Sequence, residues 1–253
     1  MTIYWKILAI CAVFPLGTAT AHAADIKVLA AGAMKSVVTA LAPDFENQTG
    51  HRLSIDNGTV GALAKRIADG EVFDVTIIAP AALDDLVKQG KIVPGSKVAI
   101  AKVGIGVAVR AGAVLPDIST VDALKKALLD ARSVTYVDPK AGGSSGIYFD
   151  KLLETMGIAD VVRAKAKLQP GGYVAELVAR GEAEMAVHQI SEILPVQGAT
   201  LVGPLPAAVQ NYTVYAASLS ASAQQPAGAA ALIKFLGSDT AHAVLKAKGM
   251  EVP

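Results

Sequence analysis

The chain has 253 residues, of which 53% are hydrophobic and 5% are aromatic, and its 23 basic side chains nearly balance its 22 acidic ones. This length allows one large or two small domains with a sizeable core. The balanced charge argues against a nucleic-acid-binding protein, because such proteins concentrate lysine and arginine against phosphates. Beyond the N-terminus no apolar run reaches the roughly 18 residues of a membrane span, so we expect no internal transmembrane helix.

Residues 1–23 have the pattern of a secretory signal peptide. Lys6 supplies the positive start, residues 7–16 are apolar, and Ala21-His22-Ala23 forms a small-x-small cleavage site. The alternative, a retained membrane anchor, is disfavoured because the apolar run is short. Cleavage removes Cys11, the only cysteine of the chain, and leaves a neutral protein without disulfides. We therefore expect a soluble, monomeric protein of a bacterial periplasm.

The first part of the mature chain alternates predicted strands with predicted helices. Small residues at 32–34 and 57–61 follow the first two strands, and Gly50 and Gly90 end two of the helices. The predicted strands are 26–29, 51–56 and 72–79, and the predicted helices are 35–48, 62–69 and 83–89. This alternation is typical of βαβ units with a parallel sheet.

Two long β-rich stretches, residues 97–110 and 200–219, contain no helical pattern and are predicted to cross between two lobes. The sequence therefore predicts an α/β fold with two βαβ domains joined by two extended crossings. Such lobes can close on each other about a hinge. The predicted division places 24–106 with 205–253 in one lobe and 107–204 in the other. Between the crossings we predict strands 134–137 and 183–187 and helices 121–129, 147–156 and 174–180, and after them helices 227–236 and 240–248.

The stretch from Tyr136 to Met156 is predicted to form a strand, a glycine- and serine-rich turn and a helix. A strand that runs into a helix N-terminus leaves backbone N–H groups without partners, and the helix dipole attracts an anion there. Ser144 and Ser145 add hydroxyl donors, and Lys140 adds a positive charge. The turn therefore indicates one wall of a site for a small anion or carboxylate. The alternative is a capped helix after a flexible loop.

The ends of the other predicted strands carry similar loops. In open α/β sheets, ligands bind beyond the carboxyl ends of the strands, so these loops should face one cleft between the lobes. The candidate ligand-binding residues are Gly32, Ala33, Met34, Asn57, Thr59, Val60, Lys140, Ser144, Ser145, Gly146, Tyr173, His188 and Gln189.

His188 follows an apolar strand and is the strongest single candidate for a functional residue in the second lobe. An imidazole there can donate to a carboxylate or act as a base near neutral pH. The alternative is a structural histidine whose nitrogens are satisfied by the fold. No second histidine or carboxylate follows at metal-ligand spacing, so we expect neither a metal nor another cofactor.

Five segments, in their order along the chain, resemble the periplasmic molybdate-binding protein family, whose members are type II solute-binding proteins of ABC importers. The resemblance implies a two-lobed fold, an oxyanion bound in the cleft and an importer membrane subunit as partner. The segments are ADIKVLAAGAM, GALAKRIADGEVFDVTI, DPKAGGSSGIYFDKLLETMG, GYVAELVARGEAEMAV and AAALIKFLGSDTAHAVLKAKGM.

The oxyanion site of that family is altered in this chain. The family uses a serine where this chain has Gly32, and a second serine where it has Val60, with Thr59 adjacent. A tyrosine of the family corresponds to His188. The pattern is similar to a divergent branch that also includes a periplasmic aconitate isomerase, whose catalytic residues we do not match individually. The family's third and fourth loops align near residues 144–146 and 173–174.

Two functions are therefore open from the sequence. The first is a periplasmic binding protein that captures a small oxyanion or organic carboxylate for an importer. The second is an isomerase of a small polycarboxylic acid, in which His188 moves a proton and Ser144 and Ser145 stabilise the developing charge. A carboxylate that could move the proton instead is not evident in the loops, because Asp138 is predicted to be a turn residue.

Overall fold

The computed structural model describes residues 23–253, and the predicted signal peptide up to residue 22 lies outside the described residues. The strands are β1 (Asp25–Ala31), β2 (Arg52–Gly58), β3 (Val75–Ile78), β4 (Val98–Arg110), β5 (Val134–Val137), β6 (Ala166–Gln169), β7 (Met185–Gln189), β8 (Ala199–Pro204) and β9 (Tyr212–Leu219). The helices are α1 (Lys35–Thr49), α2 (Val60–Ala68), α3 (Pro80–Lys88), α4 (Val121–Asp130), α5 (Ser144–Thr155), α6 (Ala159–Arg163), α7 (Ala175–Ala179), α8 (Ile190–Ile193), α9 (Pro226–Phe235) and α10 (Asp239–Ala247).

The strands follow the order β2-β1-β3-β9-β4-β7-β5-β6, with β8 also paired to β4. β1 runs parallel to β2 and β3, and β5 runs parallel to β6 and β7, as the alternation of strands and helices predicts. β4 is antiparallel to β9 along residues 98–104 and to β7 along residues 105–109, so it passes from one lobe into the other. The predicted α/β, two-lobed fold is confirmed.

Each lobe has a hydrophobic core of its own. Phe45 and Phe73 lie in the core built around β1, β3 and β9, where each is at most 2% exposed. In the other lobe Tyr136 meets Phe149 edge-on, with 5.0 Å between the ring centroids. Burying a large apolar side chain contributes about 1.5–3 kcal/mol, so these cores hold the strand ends in place. Between residues 23 and 253 no helix is long and apolar enough to cross a membrane.

Several element boundaries differ from the sequence prediction, and three of them lie next to the loops predicted to bind a ligand. α5 begins at Ser144 rather than at residue 147, because Gly143 is extended and serves as its N-cap. α2 begins at Val60 because the Thr59 side chain accepts a hydrogen bond from the backbone N–H of Ala62, a favoured N-cap arrangement. β7 continues to Gln189 and is followed at once by α8, which the sequence pattern did not predict.

Candidate functional site

A cavity of about 190 Å³ lies between the lobes, at the carboxyl ends of β1, β2, β5 and β7. Parallel strands end at the same edge of a sheet, which is why residues far apart in sequence meet here. The residues that the sequence predicted and that line the cavity are Gly32, Ala33, Asn57, Thr59, Val60, Ser144, Ser145, Tyr173, His188 and Gln189. The other lining residues are Ala31, Lys35, Gly58, Val137, Gly143, Gly171, Gly172, Glu192 and Tyr215.

The N-terminus of α5 faces the cavity, which Gly143, Ser144 and Ser145 line. It has no acidic residue in its first turn and no side chain that caps it, so its first N–H groups favour an anion. The helix α1 instead continues from the 3-10 turn Gly32–Met34, and the N–H of Lys35 donates to the carbonyl of Gly32. Lys35, the first residue of α1, also lines the cavity, and its Nζ lies 5.1 Å from the centroid of the Tyr173 ring. These features favour a ligand that carries negative charge.

His188 is buried in the cavity wall, and both of its ring nitrogens have partners. Nε2 lies 3.0 Å from the carbonyl oxygen of Gly172 and 3.4 Å from Oε1 of Glu192. Both of these atoms are acceptors, so we assign a proton to Nε2. Nδ1 lies 3.0 Å from the Ser145 hydroxyl, which donates to it when the imidazole is neutral.

The environment of His188 favours its protonated form. Burial is the largest single effect and by itself lowers the pKa of the imidazole. The charge of Glu192, its hydrogen bond and the carbonyl of Gly172 together outweigh burial, so the pKa of His188 lies above its usual value. At neutral pH the pair therefore carries more of an imidazolium–carboxylate character than an isolated histidine would have.

Glu192 is the functional group that sequence reasoning missed. It lies on α8, one helical turn after His188, and only 6% of the residue is exposed. The Ser191 hydroxyl donates to the carbonyl of Ala33 at 2.9 Å and ties α8 to the loop after β1. A buried carboxylate without a full set of hydrogen bonds is costly, so one that faces a cavity points to a function.

The carboxylate of Glu192 explains why position 32 is glycine. A Cβ atom added to Gly32 would lie 2.5 Å from Glu192 Oε1 and 3.4 Å from its carboxyl carbon. A serine at this position, as in the family that the sequence resembles, is therefore incompatible with the observed position of Glu192.

A polar wall from the crossing strands completes the cavity. Gln189 Nε2 donates to the Thr213 hydroxyl at 2.9 Å, whereas the buried Gln189 Oε1 has no hydrogen-bond partner. Tyr215 lines the cavity beside Ser144 and Gln189, and the residue is 2% exposed. This wall offers hydroxyl donors next to an unused amide acceptor.

Two predicted ligand donors make hydrogen bonds within the protein. The Asn57 side-chain amide donates to the carbonyl of Ala30 at 3.2 Å. The Thr59 hydroxyl donates to the carbonyl of Ala141 and accepts from the N–H of Ala62 at 3.1 Å. Both residues line the cavity, but their donor groups already bind backbone carbonyls and hold the loops together.

Glycines from the two lobes meet at the rim of the cavity. The N–H of Gly61, on α2, donates to the carbonyl oxygen of Gly142 at 3.1 Å. A Cβ atom on Gly61 would lie 2.9 Å from the Cα atom of Gly142, and one on Gly142 would lie 2.7 Å from that of Gly61. Only glycines allow this approach, so the contact between the lobes depends on both of them.

Three predicted site residues do not line the cavity. Met34 is fully buried in the core of the first lobe, and Lys140 is exposed at the 3-10 turn Pro139–Ala141. Gly146 is required for packing, because a Cβ atom there would lie 2.1 Å from the carbonyl oxygen of Val137. Asp138 caps the same 3-10 turn by accepting from the N–H of Lys140 at 2.9 Å, as expected of a turn residue.

Within residues 23–253, no three histidine, cysteine or carboxylate side chains come together as a metal site would require.

Comparison with known proteins gives relatives for both open functions. A family model described as bacterial extracellular solute-binding protein matches residues 26–251. An aconitate isomerase from a Pseudomonas species is 34% identical over 232 residues, which cover 89% of this chain and 87% of the relative. The structure is also similar to the periplasmic molybdate-binding protein of Azotobacter vinelandii, with a TM-score of 0.77, 23% identity and coverage of 90% of this chain and 99% of that one.

A sulfate-binding protein, SubI from Mycobacterium tuberculosis, has the same fold. Its TM-score is 0.72 at 17% identity, over 90% of this chain and 86% of that one. At such low identity, likeness to either solved structure concerns the fold alone.

Proposed function

Because the chain belongs to the bacterial extracellular solute-binding protein family, whose fold hosts receptors, we propose that it has become a periplasmic isomerase of a small polycarboxylic acid, similar to an aconitate isomerase. The observation that carries the proposal is the buried carboxylate of Glu192 beside His188 inside the interlobe cavity. The Pseudomonas relative supports the substrate class.

A receptor for a fully ionised oxyanion has little use for this carboxylate. A carboxylate only accepts hydrogen bonds, so it offers nothing to a molybdate or sulfate oxygen. Two unit charges 4 Å apart repel by about 4 kcal/mol at an effective dielectric constant of about 20, and this repulsion acts on an oxyanion and on a polycarboxylate alike. What separates the two ligands is that a polycarboxylate has a C–H proton for Glu192 to accept, whereas molybdate and sulfate have none.

The proposed reaction is an allylic proton shift. A base takes a proton from the methylene group next to the double bond, and the double bond moves by one carbon. A proton then adds to the former vinylic carbon, so one C–H bond breaks, one forms and no atom is gained or lost. This path converts trans-aconitate into cis-aconitate without an external reactant. It requires a base, a donor for the developing enolate charge, and anchors for the carboxylates.

We assign the proton transfer to Glu192 rather than to His188. Both ring nitrogens of His188 are held, by Ser145 on one side and by Gly172 and Glu192 on the other. His188 then orients the carboxylate and, when protonated, offsets its charge against an anionic substrate. The N-terminus of α5 and Lys35 attract the substrate carboxylates.

The test is conversion of trans-aconitate to cis-aconitate by the purified mature protein, followed by chromatography. Glu192→Gln keeps the shape of the side chain and cannot accept the proton, so we expect kcat to fall about 10²–10⁴-fold. The matched control is Glu182→Gln, at an exposed carboxylate that pairs with Arg180 at 2.6 Å. An inactive wild type, or a Glu192→Gln variant as active as wild type, would contradict the proposal.

The second candidate is a receptor that hands a small anion to an importer membrane subunit. The rim contact between Gly61 and Gly142 favours it, since a receptor also needs lobes that close on a ligand. A thermal-shift screen with molybdate, tungstate, sulfate, phosphate and tricarboxylates separates the two, because a ligand at 100 times its Kd stabilises the folded protein by about 2.7 kcal/mol. A large shift with molybdate, together with no isomerisation, would favour the receptor.

A further inference from the structure

Resting on the proposed isomerase function, we propose that Tyr215 is a further catalytic residue. Its hydroxyl donates a hydrogen bond to the substrate carboxylate oxygen on which negative charge develops as the methylene proton leaves. Ser144, from the opposite lobe, contributes a second hydroxyl to the same oxygen. Tyr215 and Ser144 thus form the donor pair that the proton transfer to Glu192 requires.

The position of Tyr215 supports this role. It lies on β9, where it pairs with Ala101 of β4, so its backbone belongs to the strands that connect the lobes. Its ring packs in the core of the first lobe, while the residue also lines the cavity. The core fixes one side of the phenol and the cavity lies on the other. Its hydroxyl is therefore pre-organised and loses little conformational entropy in the transition state.

The neighbours of Tyr215 direct an anionic oxygen towards its hydroxyl. Gln189 is fixed by its 2.9 Å bond to Thr213, and its buried Oε1 remains without a partner. The hydroxyls of Tyr215 and Ser144 can both donate to a carboxylate oxygen in the cavity. Glu192 and Tyr215 both line this cavity, so the base and the donor face the same small volume.

Tyr215 has the protonation state that a donor needs. Burial is the largest effect on its pKa, and together with the charge of Glu192 it outweighs the hydrogen bonds of Ser144, Thr213 and Gln189. The pKa of Tyr215 is therefore well above its ordinary value, and the phenol stays neutral at every working pH. The phenol cannot serve as the base. Removing its hydroxyl should lower kcat without shifting either limb of the pH profile of kcat.

The test compares Tyr215→Phe with Tyr148→Phe. Phenylalanine keeps the ring in the core and removes only the hydroxyl. Tyr148, on α5, donates to the carbonyl of Val209 at 2.9 Å and does not line the cavity, so it is a matched control. The measurements are kcat and KM for trans-aconitate, the pH profile of kcat, and calorimetric binding of propane-1,2,3-tricarboxylate, a saturated analogue that cannot form the enolate.

We expect Tyr215→Phe to lower kcat about 10²–10³-fold, the usual cost of one oxyanion donor, with analogue binding and the pH limbs unchanged. Tyr148→Phe should leave kcat near wild type. A Tyr215→Phe variant with wild-type kcat overturns the inference while the proposed function stands, as does a parallel loss of kcat and analogue binding. An inactive wild type ends the proposed function and this inference with it. If Tyr215→Phe does not fold, Ser144→Ala provides the same comparison, and an unchanged kcat in that variant overturns the donor pair.

Discussion

Replacing Gly32 by serine tests whether Glu192 and the glycine are coupled as the structure indicates. The new Cβ atom would lie 2.5 Å from Glu192 Oε1, a distance that forces the carboxylate to move. Because Oε1 is the end of a flexible side chain, the cost is mainly that of the lost hydrogen bond between Glu192 and His188, about 1.5–3 kcal/mol for a bond to a charged group. For a chain of this length each kcal/mol lowers Tm by roughly 2–4 °C. The displaced carboxylate also loses its 3.4 Å contact with His188, so we expect kcat for trans-aconitate to fall about 10²-fold or more.

The assay combines calorimetric unfolding with steady-state kinetics on two further variants. Gly203→Ser is the control, because a Cβ atom on Gly203 would meet only Ile118, at an ordinary 3.8 Å. In the double variant Gly32→Ser, Glu192→Ala the clash is removed together with the carboxylate. We expect its Tm to recover relative to Gly32→Ser while its kcat stays low, which corresponds to a coupling energy of about 0.5–3 kcal/mol between neighbouring sites.

Two results would refute this reasoning. One is a Gly32→Ser variant whose Tm and kcat match those of Gly203→Ser, which would mean that Glu192 has room to move without consequence. The other is strict additivity of the two substitutions in unfolding free energy, which would mean that the glycine and the carboxylate are independent.

Three further predictions follow from the cavity. Gly142→Ala should hold the lobes apart, because its Cβ atom would lie 2.7 Å from the Cα atom of Gly61 and its φ of +73° disfavours alanine. Small-angle scattering should then show a larger radius of gyration, and steady-state kinetics should show a higher KM for trans-aconitate. The pKa of His188 is raised in the folded state, so its contribution to stability is complete below the unfolded pKa of about 6.5 and is lost as pH rises through the folded pKa. We expect the Tm of the wild type to fall over that pH range, and the Tm of Glu192→Gln to fall less. Equal falls in both proteins would mean that Glu192 and His188 do not interact. Lys35→Met should raise KM for trans-aconitate at low salt and converge with wild type at high salt, whereas a salt-independent effect would exclude an electrostatic role.

The sequence predicted the strand ends well because the signals for them are local. Apolar strands followed by small residues mark Gly32, Ser144 and His188 without any knowledge of tertiary structure. The topology then brings these ends to one edge, where the candidate residues at several strand ends line the cavity together. Met34 follows the same strand as Gly32 but lies in the core of the first lobe, and neither helical periodicity nor loop composition distinguishes the two positions.

Glu192 and Tyr215 escaped prediction for different reasons. α8 is a single turn after a buried strand, too short for a helical period, so the spacing of four between His188 and Glu192 was the only available signal. Tyr215 lies in the middle of β9, not at a strand end where ligand-binding residues were expected, and only the pairing of β9 with β4 brings it to the cavity. For Asn57 and Thr59 the residue types were suggestive, but which partner a donor uses is decided by loops distant in sequence.

The charge pattern of the cavity imposes a condition on any anionic substrate. Glu192 must be a carboxylate to accept a proton, and in that form it repels a polycarboxylate in the same small volume. A protonated His188 offsets this repulsion, so substrate binding and protonation of His188 stabilise each other by linkage. Raising the pH removes the proton of His188 and should therefore raise KM for an anionic substrate. In the proposed isomerase, hydroxyls and the N-terminus of α5 would stabilise the enolate, and the buried carboxylate of Glu192 would move the proton.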